Sequence, residues 1–240
     1  MKSLLKKQEF YISCLLLLIV IIISLVNPSF LNLGNIFSLL KSSIVLGILA
    51  LGVLLVLITG GIDVSFPVVA GFSLYTGAMI FAKYYPSTPL ILVFLYAMAV
   101  GSFCGFLNGF LIAHFKFPAL VVTLGSSSAI SGFMYTFIGT RPIKKLPDSL
   151  VEFGKKMFFE RDTEAGFIGL PTAILILIAL CLIVYFMLRY TMFGRYIFAL
   201  GGDEISAERA GINTQLVKIL VYVIVGALAG IAGVIRISFL

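Results

Sequence analysis

The chain has no tryptophan, one histidine and three cysteines, and charged residues fill only 11% of its 240 positions. A soluble domain carries roughly 25% charged residues. So little charge leaves too little polar surface to cover a water-exposed fold. The single histidine, His114, sits in the short polar break His114-Phe115-Lys116 between spans and reads as a solvated loop residue rather than a catalyst. Cys14, Cys104 and Cys181 all lie inside apolar runs and have no metal-site or disulfide spacing, so they read as small packing residues. No G-x-x-x-x-G-K-[ST] loop occurs, so the chain lacks the usual means of hydrolysing ATP. No H-E-x-x-H motif and no paired intramembrane carboxylates appear, which argues against a membrane protease and a proton-coupled carrier. No catalytic residue, metal ligand or bound cofactor is expected in this chain.

What is present is apolar. Hydrophobic residues make up 61% of the chain, and mean hydropathy is +1.17. The runs are continuous rather than alternating, which favours helices over a barrel. The expected fold is all-α, a polytopic transmembrane helix bundle in one domain over 1–240. Seven spans are expected near 10–26, 42–59, 66–82, 89–113, 118–138, 170–189 and 216–238, each close to the ~20 residues that cross a bilayer. The second and third are separated only by 60–65, so one of the pair stays open as a re-entrant half-helix. Lys2, Lys6 and Lys7 precede the first span, and Asn27-Pro28-Ser29-Phe30 follows it without a cleavage site, so it is read as an uncleaved helix.

The net charge is +7, but the basic residues scatter over loops and helix ends. They read as lipid-surface anchors rather than a nucleic-acid stripe. Lys and Arg divide evenly between the two sides, and the short loops and first helix favour a cytoplasmic N-terminus. Parity then puts the 190–215 loop on the same side and the 140–168 loop outside. In the outer loop, Ser149 to Phe159 reads as a short amphipathic helix.

Gly101, Gly105 and Gly109 recur every four residues in the fourth span, and Gly226 and Gly230 repeat the spacing in the last. Both stripes read as helix-packing faces. Asn108 stands among apolar residues, with cross-helix bonding and a place along a solute path both open. Asp63 is the one acid between the first span and the large loop, flanked by Gly60-Gly61 and Ser65. A carboxylate at membrane depth costs at least ~2.5–3.5 kcal/mol, so it needs partners. Asp63 or Ser65 could cap the helix beginning at Pro67, and the same break could line a translocation path. In the 190–215 loop, Asp203 reads as an N-cap and Gly211 as a helix stop around about two turns. Ala207, Ala210 and Gly211 share one small face suited to a partner's groove, with Glu204 and Glu208 on a charged face.

Ordered motifs carry a resemblance. Thr59-Gly60-Gly61-Ile62-Asp63-Val64-Ser65 is similar to a T-G-G-I-D-L-S signature. Asn108-Gly109 with Pro118 and Val122-Thr123-Leu124-Gly125 matches a second motif, and Arg141-Pro142-Ile143 a third. The fourth runs from Gly194-Arg195-Tyr196 through Gly201-Gly202 and Ala210-Gly211-Ile212-Asn213 to Ala229-Gly230-Ile231-Ala232-Gly233. Together they resemble the permease subunits of ribose-type and other simple-sugar bacterial ABC importers. The resemblance implies a cytoplasmic-membrane protein that pairs with a second permease copy or paralogue. Cytoplasmic ATPase subunits would drive it, and an extracytoplasmic sugar-binding protein would deliver the sugar. The 201–211 helix would be the coupling helix seated in the ATPase. Phe66-Pro67 departs from the valine-glycine frequent in that family, and the chain stops at Leu240 where the family continues, which implies a permease domain incomplete at its C-terminus. The alternative is an ion-coupled secondary transporter using Asp63.

Overall fold

A computed structural model describes residues 8–85, 87–138, 146–163 and 166–239. Lys2, Lys6, Lys7 and the Arg141-Pro142-Ile143 motif lie outside these residues. An apolar helix falls on each of the seven expected spans: α1 (Gln8–Val26), α2 (Leu33–Ile58), which begins well before the expected 42, α3 (Phe66–Tyr84), α4 (Leu90–His114), α5 (Ala119–Phe133), α7 (Ala173–Tyr190) and α10 (Thr214–Ser238). Among the described residues five are long and apolar enough to cross a membrane, and the apolar parts of α1 and α3 are shorter. Three shorter helices are α6 (Asp148–Lys155), α8 (Met192–Gly202) and α9 (Glu204–Arg209). The fold is thus a polytopic helical bundle.

The chain divides into two compact units. The first holds residues 1–42 and 157–170. In it, α1 leads into a 3-10 turn over Pro28–Leu31, where the Asn27 side chain accepts from the Ser29 N–H at 3.1 Å. It also holds a feature the sequence reading missed, a two-stranded hairpin of β1 (Met157–Thr163) and β2 (Gly166–Pro171). The expected amphipathic helix accordingly ends at Lys155 instead of Phe159.

The second unit contains residues 43–156 and 171–240 and carries the functional motifs. Its centre is α10. Two thirds (67%) of the apolar window of α10 is buried, against 11% for α7, whose remaining surface suits lipid. α10 packs chiefly against α4, with Ala97, Gly101, Gly105 and Gly109 meeting Gly230, Gly226, Tyr222 and Ile219 in turn. One number rises as the other falls, so the helices run antiparallel. A Cβ on Gly101 would strike the Gly226 carbonyl oxygen, and one on Gly105 the Tyr222 carbonyl oxygen. Gly226 and Gly230 would strike the Gly101 and Ala97 carbonyls in return. The two backbones touch, and dispersion between them replaces the hydrophobic drive that lipid removes. α3 packs on the same helix, where Gly233 sits over the Ala70 carbonyl.

Candidate translocation and coupling site

α2 ends in a tight turn. Gly60 adopts φ +78°, a left-handed conformation that glycine takes without strain. The Gly60 and Gly61 N–H groups donate to Leu57 and Val56 carbonyls at 3.0 and 3.1 Å. The chain then stays non-helical to Ser65, and α3 begins at Phe66. This strap runs back into the bundle instead of across its end, because Asp63 and Ser65 share one small cavity wall with Gly105, Asn108, Tyr222 and Gly226. Thr123 of α5, fully buried, accepts from the Val64 N–H at 3.4 Å and lies 3.4 Å from the Ile62 carbonyl. Non-helical backbone at membrane depth needs such partners.

The structure brings Asp63, Ser65 and Asn108 into one chain of hydrogen bonds. Asp63 Oδ1 accepts from both the N–H and the hydroxyl of Ser65, each at 2.7 Å. The Asn108 side-chain amide donates to Ser65 Oγ at 2.9 Å. All three residues are buried. The expected cap is absent. Ser65 occupies the N-cap position but makes no side-chain cap bond, since its hydroxyl serves Asp63 and Asn108. The Val68 N–H is satisfied instead by the Ser65 carbonyl at 3.0 Å, and Pro67 has no N–H to cap. Beside the strap stands Tyr222, only 2% exposed, whose hydroxyl has no hydrogen-bond partner among the described residues. It lies where a Cβ on Gly61 would come within 3.1 Å of it. A buried tyrosine hydroxyl usually finds a partner, and leaving one unmet costs about 1–3 kcal/mol.

The 190–215 loop contains more structure than expected. Thr191 caps α8, accepting from the Gly194 N–H at 3.1 Å, and Ile197 and Leu200 bury its inner face. A Cβ on Gly201 would strike the Ile58 carbonyl oxygen, so the end of α8 rests directly on the end of α2. Asp203 caps α9, its Oδ2 accepting from the Ser206 hydroxyl at 2.7 Å and its Oδ1 from the Ile205 N–H at 3.0 Å. These bonds, the Ser206 hydroxyl first, hold the exposed carboxyl below the usual carboxylate range. Gly211, at φ +84°, closes the helix. Its N–H donates to the Glu208 carbonyl at 2.9 Å and the Ile212 N–H to the Ala207 carbonyl at 3.1 Å, a paired C-terminal cap.

The faces of α9 differ from the expected ones. Ala207 is only 4% exposed, turned into the chain, because α9 packs against both α8 and α10. Ala210 and Gly211 remain exposed, joined by Ile205 at 61%. Both acids are tied inward. Glu204 forms an ion pair with Lys218 of α10 at 2.6 Å, and Glu208 accepts from the Thr214 hydroxyl at 2.8 Å.

A cavity of about 370 Å³ separates this short helix from the strap. Thr59, Gly60, Gly61 and Tyr222 line it, together with Lys116, Glu204, Glu208 and Lys218. Tyr222 also borders the small cavity that holds Asp63, Ser65 and Asn108, so it stands between the two. Sequence reasoning missed Thr123, Gly201 and Tyr222 as site residues, although all three lie within its quoted motifs or beside them.

Such an arrangement, a polar break inside an apolar bundle with a capped surface helix next to it, is that of a membrane transport protein. The family comparison agrees. Residues 35–240 match the family described as branched-chain amino acid transport system / permease component, and the chain belongs to it. The ribose import permease protein RbsC of Haemophilus influenzae is 29% identical over 221 residues, covering 92% of this chain and 66% of that protein. RbsC of Bacillus subtilis is 31% identical over 223 residues, covering 93% and 66%. The autoinducer 2 import system permease protein LsrC of Enterobacter sp. is 31% identical over 235 residues, covering 98% and 65%. The chain spans about two thirds of the length of these curated relatives. No solved structure matches it.

Proposed function

We propose that this chain is the membrane-spanning part of an ATP-driven importer for a simple sugar or a related small polar solute. ATP hydrolysis resides on separate cytoplasmic subunits. A second permease copy or paralogue completes the pore, and an extracytoplasmic binding protein delivers the solute. The N-terminus and the 190–215 loop face the cytoplasm. Names of the relatives support the solute class, since RbsC imports ribose and a relative in Haemophilus influenzae is a galactose/methyl galactoside import permease.

The observation that carries the reading is the juxtaposition of α9 and the strap across one cavity. α9 is capped at both ends, offers Ile205, Ala210 and Gly211 outward, and is held to α10 by Glu204–Lys218. A push on it reaches α10 through that pair, and Tyr222, one turn beyond Lys218, touches the strap. The mechanism is alternating access transmitted through packed helices, with no chemistry on the solute. Ala210→Trp should uncouple ATP hydrolysis from uptake while leaving the protein in the membrane, because the bulk falls on the exposed end of α9 and spares the left-handed Gly211. Native-locus tagging, gentle solubilisation and mass spectrometry should recover a P-loop ATPase with the chain. Recovery of the chain with no ATPase, together with normal uptake by the Trp variant, would leave the ion-coupled reading through Asp63.

A further inference from the structure

We infer that the groove between α2 and α7 is a binding site for an anionic glycerophospholipid, with one acyl chain along the groove and the headgroup phosphate on Arg189. The inference goes beyond the import reading and needs only that the bundle spans a bilayer. The groove has a volume of about 330 Å³, and Leu51 and Leu54 of α2, Val184, Tyr185 and Arg189 of α7 and Phe198 of α8 line it. Val184 is buried, whereas Leu54, Tyr185 and Phe198 are exposed on helices whose apolar surface faces lipid. One turn before Leu51 the two helices are in direct contact, since a Cβ on Gly47 would come within 3.0 Å of Leu177. From Cys181 to Arg189 the groove follows α7 for about 12 Å at 1.5 Å per residue. That is most of the ~15 Å depth of one leaflet, half of the ~30 Å hydrocarbon core. An acyl chain therefore fits it in length as well as in chemistry.

Charge selects the headgroup. Arg189 lies in the last turn of α7, and among the described residues it makes no ion pair. The acids of the neighbouring loop are committed elsewhere: Asp203 caps α9, Glu204 pairs with Lys218 and Glu208 accepts from Thr214. A wholly apolar helix seated in the groove would leave the guanidinium without a counter-charge, which is costly at a membrane. A lipid phosphate supplies that charge, and the planar guanidinium can meet two of its oxygens at once. Tyr185 and Tyr190 flank Arg189, their rings in edge contact at 6.2 Å, and exposed tyrosines of this kind mark the headgroup level. Arg195, one turn from Phe198 on the same face of α8, places a second exposed cation near the groove. Basic pockets between membrane helices are a recurring form of anionic-lipid site.

The test uses the full-length chain with its partner subunits, in vesicles of equal parts phosphatidylglycerol and phosphatidylcholine with the same acyl chains. Phe198→p-benzoylphenylalanine puts a photocrosslinker in the groove, and mass spectrometry of the peptide carrying position 198 reads what it has captured. The expected product is a phospholipid adduct, with about fivefold more phosphatidylglycerol than phosphatidylcholine, the preference that one cation near a membrane surface gives. Adding Arg189→Gln should bring the two lipids to parity, and Arg189→Lys should keep most of the preference. Arg236→Gln removes the same charge at the opposite end of the bundle and should leave the ratio unchanged. Capture of a peptide from this chain, a second permease copy or another subunit, or no lipid adduct at all, overturns the lipid as occupant. Equal capture of the two lipids by the crosslinking parent, or an unchanged preference with Arg189→Gln, overturns the role of Arg189. None of these readings depends on solute uptake, so they stand apart from the test of the import function.

Discussion

The α4–α10 seam and the strap end of the same bundle use glycine for opposite purposes. Along the seam, Gly101, Gly105, Gly226 and Gly230 remove side chains so that a carbonyl of the facing helix can occupy the space. At the strap end, Gly60 and Gly211 supply positive φ, and an added Cβ would meet nothing within 4 Å. The seam is an apolar contact between backbones. The strap end contains a buried hydrogen-bond chain, an ion pair and a cavity. Packing that tolerates no change fixes the helices, and the proposed moving parts are confined to the end where backbone freedom and open volume coexist.

The comparison is broken most severely at the seam. Gly105→Leu should cost about 3 kcal/mol or more, because the obstacle is a backbone oxygen that cannot rotate away. Little of the variant should survive detergent extraction as a monodisperse peak, while Gly125→Ala, with open space around it, should match the parent. Next comes the buried chain at the strap. Asp63→Ala leaves the Ser65 N–H and hydroxyl without their acceptor and should cost about 1–3 kcal/mol. Asp63→Asn keeps an acceptor oxygen and should cost less in the same detergent melting assay.

A smaller effect belongs to Glu204–Lys218, whose side chains are 41% and 19% exposed. Partial exposure screens the pair, so a double-mutant cycle with Glu204→Gln and Lys218→Gln should give about 0.5 kcal/mol, shrinking at high salt. The smallest effect is the pH dependence of the α9 cap. Asp203 has its carboxyl lowered in the folded chain, so its contribution is fully present above the ordinary value of 3.8 and is lost as pH falls through the lower folded value. Amide exchange at Ile205, corrected for intrinsic rate, should rise in that window. Asp203→Asn should remove the dependence and keep the cap.

Much of this was legible from sequence because lipid imposes one strong rule, long apolar runs as helices, and each of the seven runs holds a helix, five of them of membrane-crossing length among the described residues. The spacing of Gly101, Gly105 and Gly109 likewise announced a close helix contact, though not its partner. What stayed hidden is tertiary. Gly201 is a glycine because it meets the Ile58 carbonyl, 143 positions away, and no local pattern links the two. Ala207 looked partner-facing on helical periodicity alone, but a six-residue helix wedged between α8 and α10 turns its small residue inward. Tyr222 looked like one more aromatic in a span, and only its unpartnered hydroxyl sets it apart. The hairpin after Lys155 was obscured by the charges in 157–163, which read as a loop.

The measurement that tests the central claim most directly is solute uptake by the purified complex in proteoliposomes, with ATP and ion gradients varied separately. The account predicts labelled sugar uptake that requires ATP and persists when ionophores collapse every gradient. Uptake that proceeds without ATP and stops with the gradient would contradict it and make Asp63 the coupling residue.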